Sequence, residues 1–423
     1  MTISVVCLVA VLLLTAEWRR IAASNGDLSG ALAANPYNAD TRRDLINGSL
    51  DIGQTDPAEL AKVVDLAVDG IDIHPEDGRF DSALGAVELL KGQEAAARDH
   101  FSSAIKKTPD EALALRVQFV DAVNAGDNDA ALNSLTRIVY RWSQTLGDLR
   151  PWILTFFDDR DLRTRAAAFF SEKPDLHPRI IAQLISEDAG HTAALDLITL
   201  LHLDYGMDVS AQAGTLISRM LNAGRYTDAI LLDKTVFEPS RGSGGGFVNN
   251  GDFAQYPTRS PFDWRLPRIN GLSIDQITAP DPAGLEELRL ESGASESDSP
   301  RSLRLAFLNS PARLNVTSWQ ALVLPQGSYA LDVIHKTGTN YSAPKPVSLE
   351  IRCRGSGTPK ATVVLSPTSN KWTIQRSMFA IDPSSENCRT PFITFYSEPV
   401  AQSWRNQFAG HVDIGLVRLV RQQ

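Results

Sequence analysis

The sequence predicts a multidomain α plus all-β protein: an N-terminal α-solenoid of helical repeats followed by a C-terminal antiparallel β-sandwich of jelly-roll type. Three observations predict it. At 423 residues the chain exceeds what a single hydrophobic core organises. Apolar residues recur at helical spacing through residues 28–238. Beyond Ser240-Arg241-Gly242-Ser243-Gly244-Gly245-Gly246 the pattern changes to short alternating runs divided by turn residues.

The first segment, 1–22, is a signal peptide or an N-terminal membrane anchor. Ile3 to Ala16 is uncharged and too short for an ordinary bilayer span, as in a signal-peptide core. No Lys or Arg precedes it, and Arg19 and Arg20 follow, which by the positive-inside tendency favours a cytoplasmic body. A Met1 that is not the true start, with a basic region missing, would reconcile the two. The expectation is export, with a buried first helix of a soluble protein as the alternative.

Within 28–238 a repeat emerges. In a frame starting at Gly78, Leu84 and Gly85 lie on the first helix and Gly92 in the turn. Ala97, Phe101 and Ala104 lie on the second helix, and Pro109 closes the unit. Gly126 follows Gly92 by 34 residues, and Ala131, Leu135 and Ile138 follow in the next unit. This is the tetratricopeptide period and pattern. Ala97 is small because paired helices approach closely there. Gly92 and Gly126 let the chain leave a helix at positive φ. Pro109 stops a helix because it has no N–H to donate. The register weakens after residue 146, and the irregular ends suit capping repeats. Asp158, Asp159, Arg160 and Asp161 form a solvated turn in this reading rather than a catalytic cluster.

The stretch 239–247 lacks the Lys-Ser/Thr ending of a phosphate loop and reads as a flexible linker. The sandwich occupies 248–423. Its runs include SLRLAFLN, QALVLPQGSYALDVIHK, VSLEIRCRG, TVVLSP, WTIQRSMFAI, PFITFYS and HVDIGLVRLV, with ESGASESDSP (291–300) as a polar loop. Of three cysteines, Cys353 and Cys388 fall here and are expected to form a disulfide, which needs an oxidising compartment. Two unpaired buried thiols are the alternative.

Val248-Asn249-Asn250-Gly251-Asp252-Phe253, followed by Pro261-Phe262-Asp263-Trp264, resembles the opening of carbohydrate-binding-module jelly rolls of the galactose-binding-like fold. Arg301–Leu305, Leu324–Leu331, the pair Trp372 and Phe379, and 409–420 resemble later strands in the same order. The resemblance covers about 247–423. It implies an opening strand at Asn250–Phe253 and glycan contact through exposed aromatic faces. Trp264, Trp372, Tyr329 and Phe253 read as core. Trp319, Tyr341 and Trp404, in or beside loops, are the candidate glycan contacts. The family's calcium-binding Glu is Ala254 here. Its acid on the last strand is replaced by Gly415, with Asp413 two residues early. Calcium needs several hard oxygens, so no site of that type is expected.

The whole arrangement resembles tetratricopeptide proteins of proteobacterial exopolysaccharide biosynthesis and export loci, most of all through Pro-Phe-Asp-Trp-Arg-Leu at 261–266. It implies a periplasmic protein, free or anchored to the inner membrane by its N-terminal segment. Its partners would be envelope proteins of a polysaccharide machine, and polysaccharide itself.

The net charge of −9 speaks against a nucleic-acid partner, which selects a basic patch. None of the seven histidines forms a His-Glu-x-x-His pair, Cys353 and Cys388 are too far apart for a zinc knuckle, and no Gly-x-Ser-x-Gly elbow occurs. No catalytic, metal or cofactor residue is therefore assigned. The reading is a non-catalytic cell-envelope scaffold, with protein binding on the repeats and glycan binding on the sandwich. A glycoside-processing enzyme, with two carboxylates roughly 5–10 Å apart across a cleft, and a purely structural assembly protein are the alternatives.

Overall fold

The computed structural model describes residues 27–51, 56–237, 246–294, 300–310, 315–353, 357–382, 388, 390–398 and 406–422. The segment 1–22, most of the linker 239–247, the middle of the loop 291–300, and Trp404 lie outside these residues. The chain divides into two compact units: residues up to Ala166 with Lys173–Gln183, and Ala167–Glu172 with Leu184–Gln423. Three helices of the N-terminal helical region thus belong to the same unit as the sandwich. Among the described residues no helix is long and apolar enough to cross a membrane.

The first unit contains α1 (Leu28–Ala34), α2 (Ala39–Asp51), α3 (Pro57–Ile73), α4 (Gly78–Leu90), α5 (Glu94–Lys107), α6 (Ala112–Ala125), α7 (Asn128–Arg141) and α8 (Arg150–Phe156). Helices α9 (Arg160–Glu172) and α10 (His177–Ile185) divide between the units. Local chemistry sets the helix starts. Asp27, Asp56, Asp77, Glu111 and Asp127 each accept a hydrogen bond from a backbone N–H of the first turn, satisfying donors that the helix itself leaves open. Gly92 (φ +75°) and Gly126 (φ +69°) make the turns after α4 and α6.

Small residues set the helix–helix approach. A Cβ on Gly85 would lie 2.9 Å from the Phe101 ring, and one on Gly78 would lie 2.2 Å from the Ala104 carbonyl oxygen. Ala97, Phe101 and Ala104 are buried on α5, while Leu84 is half-buried and Pro109 is exposed in the turn after it. In the next pair, Ala131, Leu135 and Ile138 are buried. The buried Asp81 carboxylate ties α4 to α5, accepting from Ser103 Oγ and Lys107 Nζ, both at 2.8 Å. In the turn at 158–161, Asp159 caps α9 by accepting from the Asp161 N–H at 2.8 Å, which is ordinary helix-entry chemistry.

In the second unit, α11 (His191–Leu203), α12 (Ser210–Asn222) and α13 (Tyr226–Phe237) precede the sheets. The strands are β1 (Leu272–Thr278), β2 (Arg301–Ser310), β3 (Asn315–Ala321), β4 (Gly327–Thr337), β5 (Val347–Arg352), β6 (Ala361–Val364), β7 (Thr373–Ile381), β8 (Phe392–Ser397) and β9 (Phe408–Arg421). One sheet runs β1-β2-β9-β4-β7 and the other β3-β8-β5-β6, with every neighbouring pair antiparallel. Leu303, Leu331, Val333 and Ile414 from the first sheet meet Leu349, Ile351, Ile393 and Phe395 from the second in one core.

The alternation in β9 breaks at Gly415. Ile334 pairs with Leu416 and His335 with Ile414, so Gly415 is the extra residue of a bulge. Ile414 joins the inter-sheet core while Leu416 joins an outer cluster. That cluster is covered by a further helix, α14 (Pro282–Glu291), whose Leu285 would lie 2.3 Å from a Cβ on Gly415. Gly415 is therefore where the sheet admits an apolar side chain. Asp413 pairs with Arg304 at 2.7 and 2.9 Å.

One expectation is corrected. Asn250–Phe253 is a turn rather than a strand, with Asn250 and Phe253 at φ 49° and 54°. The Asn250 side chain accepts from Gln255 N–H and donates to Gln255 O, taking the place of a strand ladder. Phe253 and Trp264 are buried from outside the strands. Gln276 Nε2 of β1 also donates to Phe253 O at 3.1 Å, so the turn is held against the sheet edge.

Candidate ligand cleft

The segment 257–267 is shaped by local hydrogen bonds and anchored by more distant ones. The Asp263 carboxylate accepts from the Thr258 and Trp264 N–H groups, both at 2.7 Å. Ser260 Oγ accepts from the Phe262 N–H at 2.9 Å and donates to the buried Asp233 carboxylate of α13. Trp264 points inward, its ring 5.5 Å from Phe395 and its Nε1 donating to Asn250 O at 3.2 Å. The motif thereby fixes the sandwich's entry loop to the helices of its own unit.

Arg265, the next residue, turns outward. It exchanges two backbone hydrogen bonds with Trp319 of β3, at 2.8 and 3.1 Å. A directly opposed pair of this kind brings both side chains to one face. The guanidinium carbon lies 5.2 Å from the Trp319 ring centre, a cation–π contact. Arg265 Nη2 reaches Ser218 Oγ at 3.3 Å and Gly214 O at 3.5 Å on α12. Helix α12 comes this close because Gly214 has no side chain, since a Cβ there would lie 2.3 Å from the Arg259 carbonyl oxygen.

These elements enclose an open cleft of about 740 Å³ between α12, the 257–267 loop and Trp319. Among the described residues its charged lining residues are Arg259 and Arg265, and no carboxylate lines it. Burial pushes the Arg265 pKa down. No carboxylate lies within ion-pair distance of Arg265 among the described residues. Arg259 is exposed. It acts at longer range on Asp208, whose carboxyl is held below its usual range first by hydrogen bonds from Ser210 and less strongly by Arg259 and His202.

The structure places the sequence candidates differently from one another. Trp319 is half-buried in the cleft wall, its face covered by Arg265 and its edge set against Phe392 at 6.4 Å. It holds a guanidinium rather than offering a bare ring. Tyr341 is outside the cleft. It packs on the sandwich core, 6.2 Å from Phe307, and burial pushes its hydroxyl up to about 12. Trp404 is outside the described residues. Trp264, Tyr329 and Trp372 are buried, and Trp372 Nε1 donates to Pro280 O and Asp281 O beneath α14. Cys353 and Cys388 form a disulfide with a Cα separation of 4.7 Å, joining the end of β5 to the approach to β8. Arg265 was legible only as part of its motif. Its side-chain role needed Trp319, which is remote in sequence.

The buried carboxylates of the sandwich are engaged elsewhere. Asp332 takes two hydrogen bonds from Arg376, at 2.5 and 2.8 Å. Glu350 accepts from Arg352 and Ser348 at 2.6 and 3.0 Å. Asp252 lies 3.6 Å from the buried Arg289. In the first unit a groove of about 470 Å³ runs along α2, α4 and the start of α6, lined by Phe80, Trp142 and three arginines. Each arginine faces an acid: Arg43 with Asp44 at 2.8 Å, Arg79 with Asp77 at 2.5 Å, and Arg116 with Asp148 at 3.5 Å.

No family model and no curated protein matches the chain. Among solved structures it is similar to one described as CBM4, with 16% identity over 41% of this chain and 99% of that chain, at a TM-score of 0.26. A carbohydrate-binding module, TmCBM61, in complex with β-1,4-galactotriose shares 14% identity over 42% of this chain and 99% of that chain, at a TM-score of 0.25. A Stig cyclase from Fischerella sp. shares 14% identity over 43% of this chain and 98% of that chain, at a TM-score of 0.28.

Proposed function

We propose that the chain is a non-catalytic cell-envelope scaffold of surface-polysaccharide assembly or export. In this reading the helical region is a tetratricopeptide-like solenoid that holds envelope proteins, and the sandwich contacts polysaccharide at the Trp319 cleft. The observation that carries it is the cleft itself: an open cavity walled by an aromatic–guanidinium pair on the sandwich, the combination of apolar surface and placed donors that saccharide sites use. The 34-residue recurrence of Gly92 and Gly126, each at positive φ, supports the repeat assignment. The Cys353–Cys388 disulfide supports an oxidising compartment such as the periplasm. The engagement of Asp332, Asp413, Asp252 and Glu350 by arginines supports binding over hydrolysis, because a general acid needs a proton-bearing carboxyl facing substrate.

A second reading is favoured by one observation. Ser260, Arg265 and Gly214 all clasp the sandwich's entry loop to α12 and α13, so the sandwich would serve assembly alone. Glycan-array screening of the full chain, with affinity capture from envelope extracts, separates the readings. The scaffold proposal predicts saccharide binding that Trp319→Ala weakens, together with recovery of envelope proteins. A blank in both would sink it, and captured proteins without any glycan would leave the assembly reading.

A further inference from the structure

We propose that the cleft beside Trp319 selects acidic saccharides, with Arg265 as the residue that pairs with a carboxylate on the ligand. This rests on the reading of the cleft as a saccharide site and names the class of saccharide.

The physical ground is an uncompensated charge. Arg265 is only partly exposed, and its guanidinium has five N–H donors. Among the described residues its side chain makes two hydrogen bonds, both from one of its nitrogens, at 3.3 and 3.5 Å. Both acceptors are neutral. The groove arginines of the first unit, Arg43, Arg79 and Arg116, are each neutralised by an acid. So are the sandwich arginines Arg304 and Arg376. Removing a cation from water without a counter-ion costs free energy that neutral contacts recover only in part. A carboxylate on a ligand would supply the missing partner.

The geometry prepares Arg265 for that role. Its backbone is locked to Trp319 by two hydrogen bonds, and the contact of its guanidinium carbon over the ring, 5.2 Å from the ring centre, restricts the side chain before a ligand arrives. A planar guanidinium so fixed suits bidentate pairing with a carboxylate. Arg259 supplies a second cation in the same lining, while Thr215 and Thr258 bring hydroxyls of the kind that meet sugar hydroxyls. The chain as a whole carries a net charge of −9 and repels polyanions, so a lining that among the described residues has two cations and no acid marks one local place where an anionic chain can dock.

The test is calorimetric titration of the full chain with four probes: oligogalacturonate, a neutral galactan oligosaccharide of equal length, oligomannuronate, and polyglutamate. At least one uronate oligomer is expected to bind about tenfold or more tighter than the neutral oligosaccharide. Raising salt should weaken that binding. Arg265→Gln should reduce it about tenfold or more, Arg265→Lys should reduce it less, and Arg259→Gln, an exposed position, should reduce it to a smaller extent. Near-ultraviolet circular dichroism checks that each variant is folded.

Equal binding of neutral and acidic oligosaccharides would overturn the charge selection and leave the saccharide reading standing. Binding of polyglutamate as tight as that of the uronates would make the ligand an acidic peptide instead. Uronate binding that survives both Arg265→Gln and Arg259→Gln in folded protein would overturn the assignment of the site. If no saccharide binds, the underlying saccharide reading fails as well.

Discussion

The same substitution, glycine to alanine, is predicted to have opposite effects at two helical positions. In an unconstrained helix interior, alanine is favoured over glycine by about 1 kcal/mol. Gly48, on α2, is exposed and has no atom within 4 Å of where its Cβ would stand, so Gly48→Ala should realise that gain. Gly214, on α12, faces the Arg259 carbonyl oxygen, which would lie 2.3 Å from an added Cβ where ordinary contact begins at 3.4 Å. Helix and loop must separate by about 1 Å. The obstructing atom is backbone, and its loop is pinned by the Asp263 hydrogen bonds and by Ser260 on Asp233. Overpacking of this kind costs roughly 1–3 kcal/mol. Set against the helix-propensity gain, Gly214→Ala should lose about 1 kcal/mol, with Gly214→Val losing more. Differential scanning calorimetry of both variants reads the signs directly. If Gly214→Ala stabilises the protein as Gly48→Ala does, the close approach of α12 to the sandwich's entry loop is wrong, and the cleft geometry goes with it.

Replacing both Cys353 and Cys388 by serine opens a loop with a sequence separation of 35, and should cost roughly 4 kcal/mol by loop-closure entropy. Non-reducing peptide mapping must first find the bridge in protein from its native compartment. Arg304→Ala should destabilise the protein by about 3 kcal/mol in urea denaturation, because it strands the fully buried Asp413. An unchanged midpoint would mean that Asp413 gains another partner, such as His411 at 3.7 Å. His335 is fully buried, and burial outweighs its hydrogen bond to Ser366 in pushing its pKa below 6.5. The unfolded chain therefore binds a proton that the folded chain refuses. Its contribution is present above pH 6.5 and is lost as pH falls through the depressed folded value. His335→Gln should flatten the acid limb of the stability profile, and an unaltered limb would contradict the burial argument.

Periodic and capped features were legible in the sequence. Gly92 and Gly126 marked turns because positive φ is cheap only for glycine, and the small residues Gly85 and Ala97 marked helix contact because a larger side chain there collides. Most strands of the sandwich announced themselves by alternation. The opening segment 248–264 did not, because its aromatics have strand-like composition while side-chain hydrogen bonds from Asn250 and Asp263 hold it in turns. Helix α14 carried a readable start, with Asp281 accepting from the Gly284 N–H and Pro282 in the first turn. Its apolar face is little more than Leu285 and Leu288, too sparse to stand out beside a polar serine-rich run. The cleft was half-visible. Trp319 stood out as an aromatic beside a loop, but nothing local ties it to Arg265, since that pairing is made by strand register. Tyr341 stood out by the same rule and is instead packed against Phe307, because loop position alone does not determine exposure.

Glycan binding at the Trp319 cleft is tested most directly by titrating the full chain with purified surface polysaccharide from its own cells, comparing the native protein with Trp319→Ala. Saturable binding is expected, reduced about tenfold or more by the substitution while the melting temperature of the sandwich holds. Absence of binding by the native protein, or equal binding by both, would contradict it.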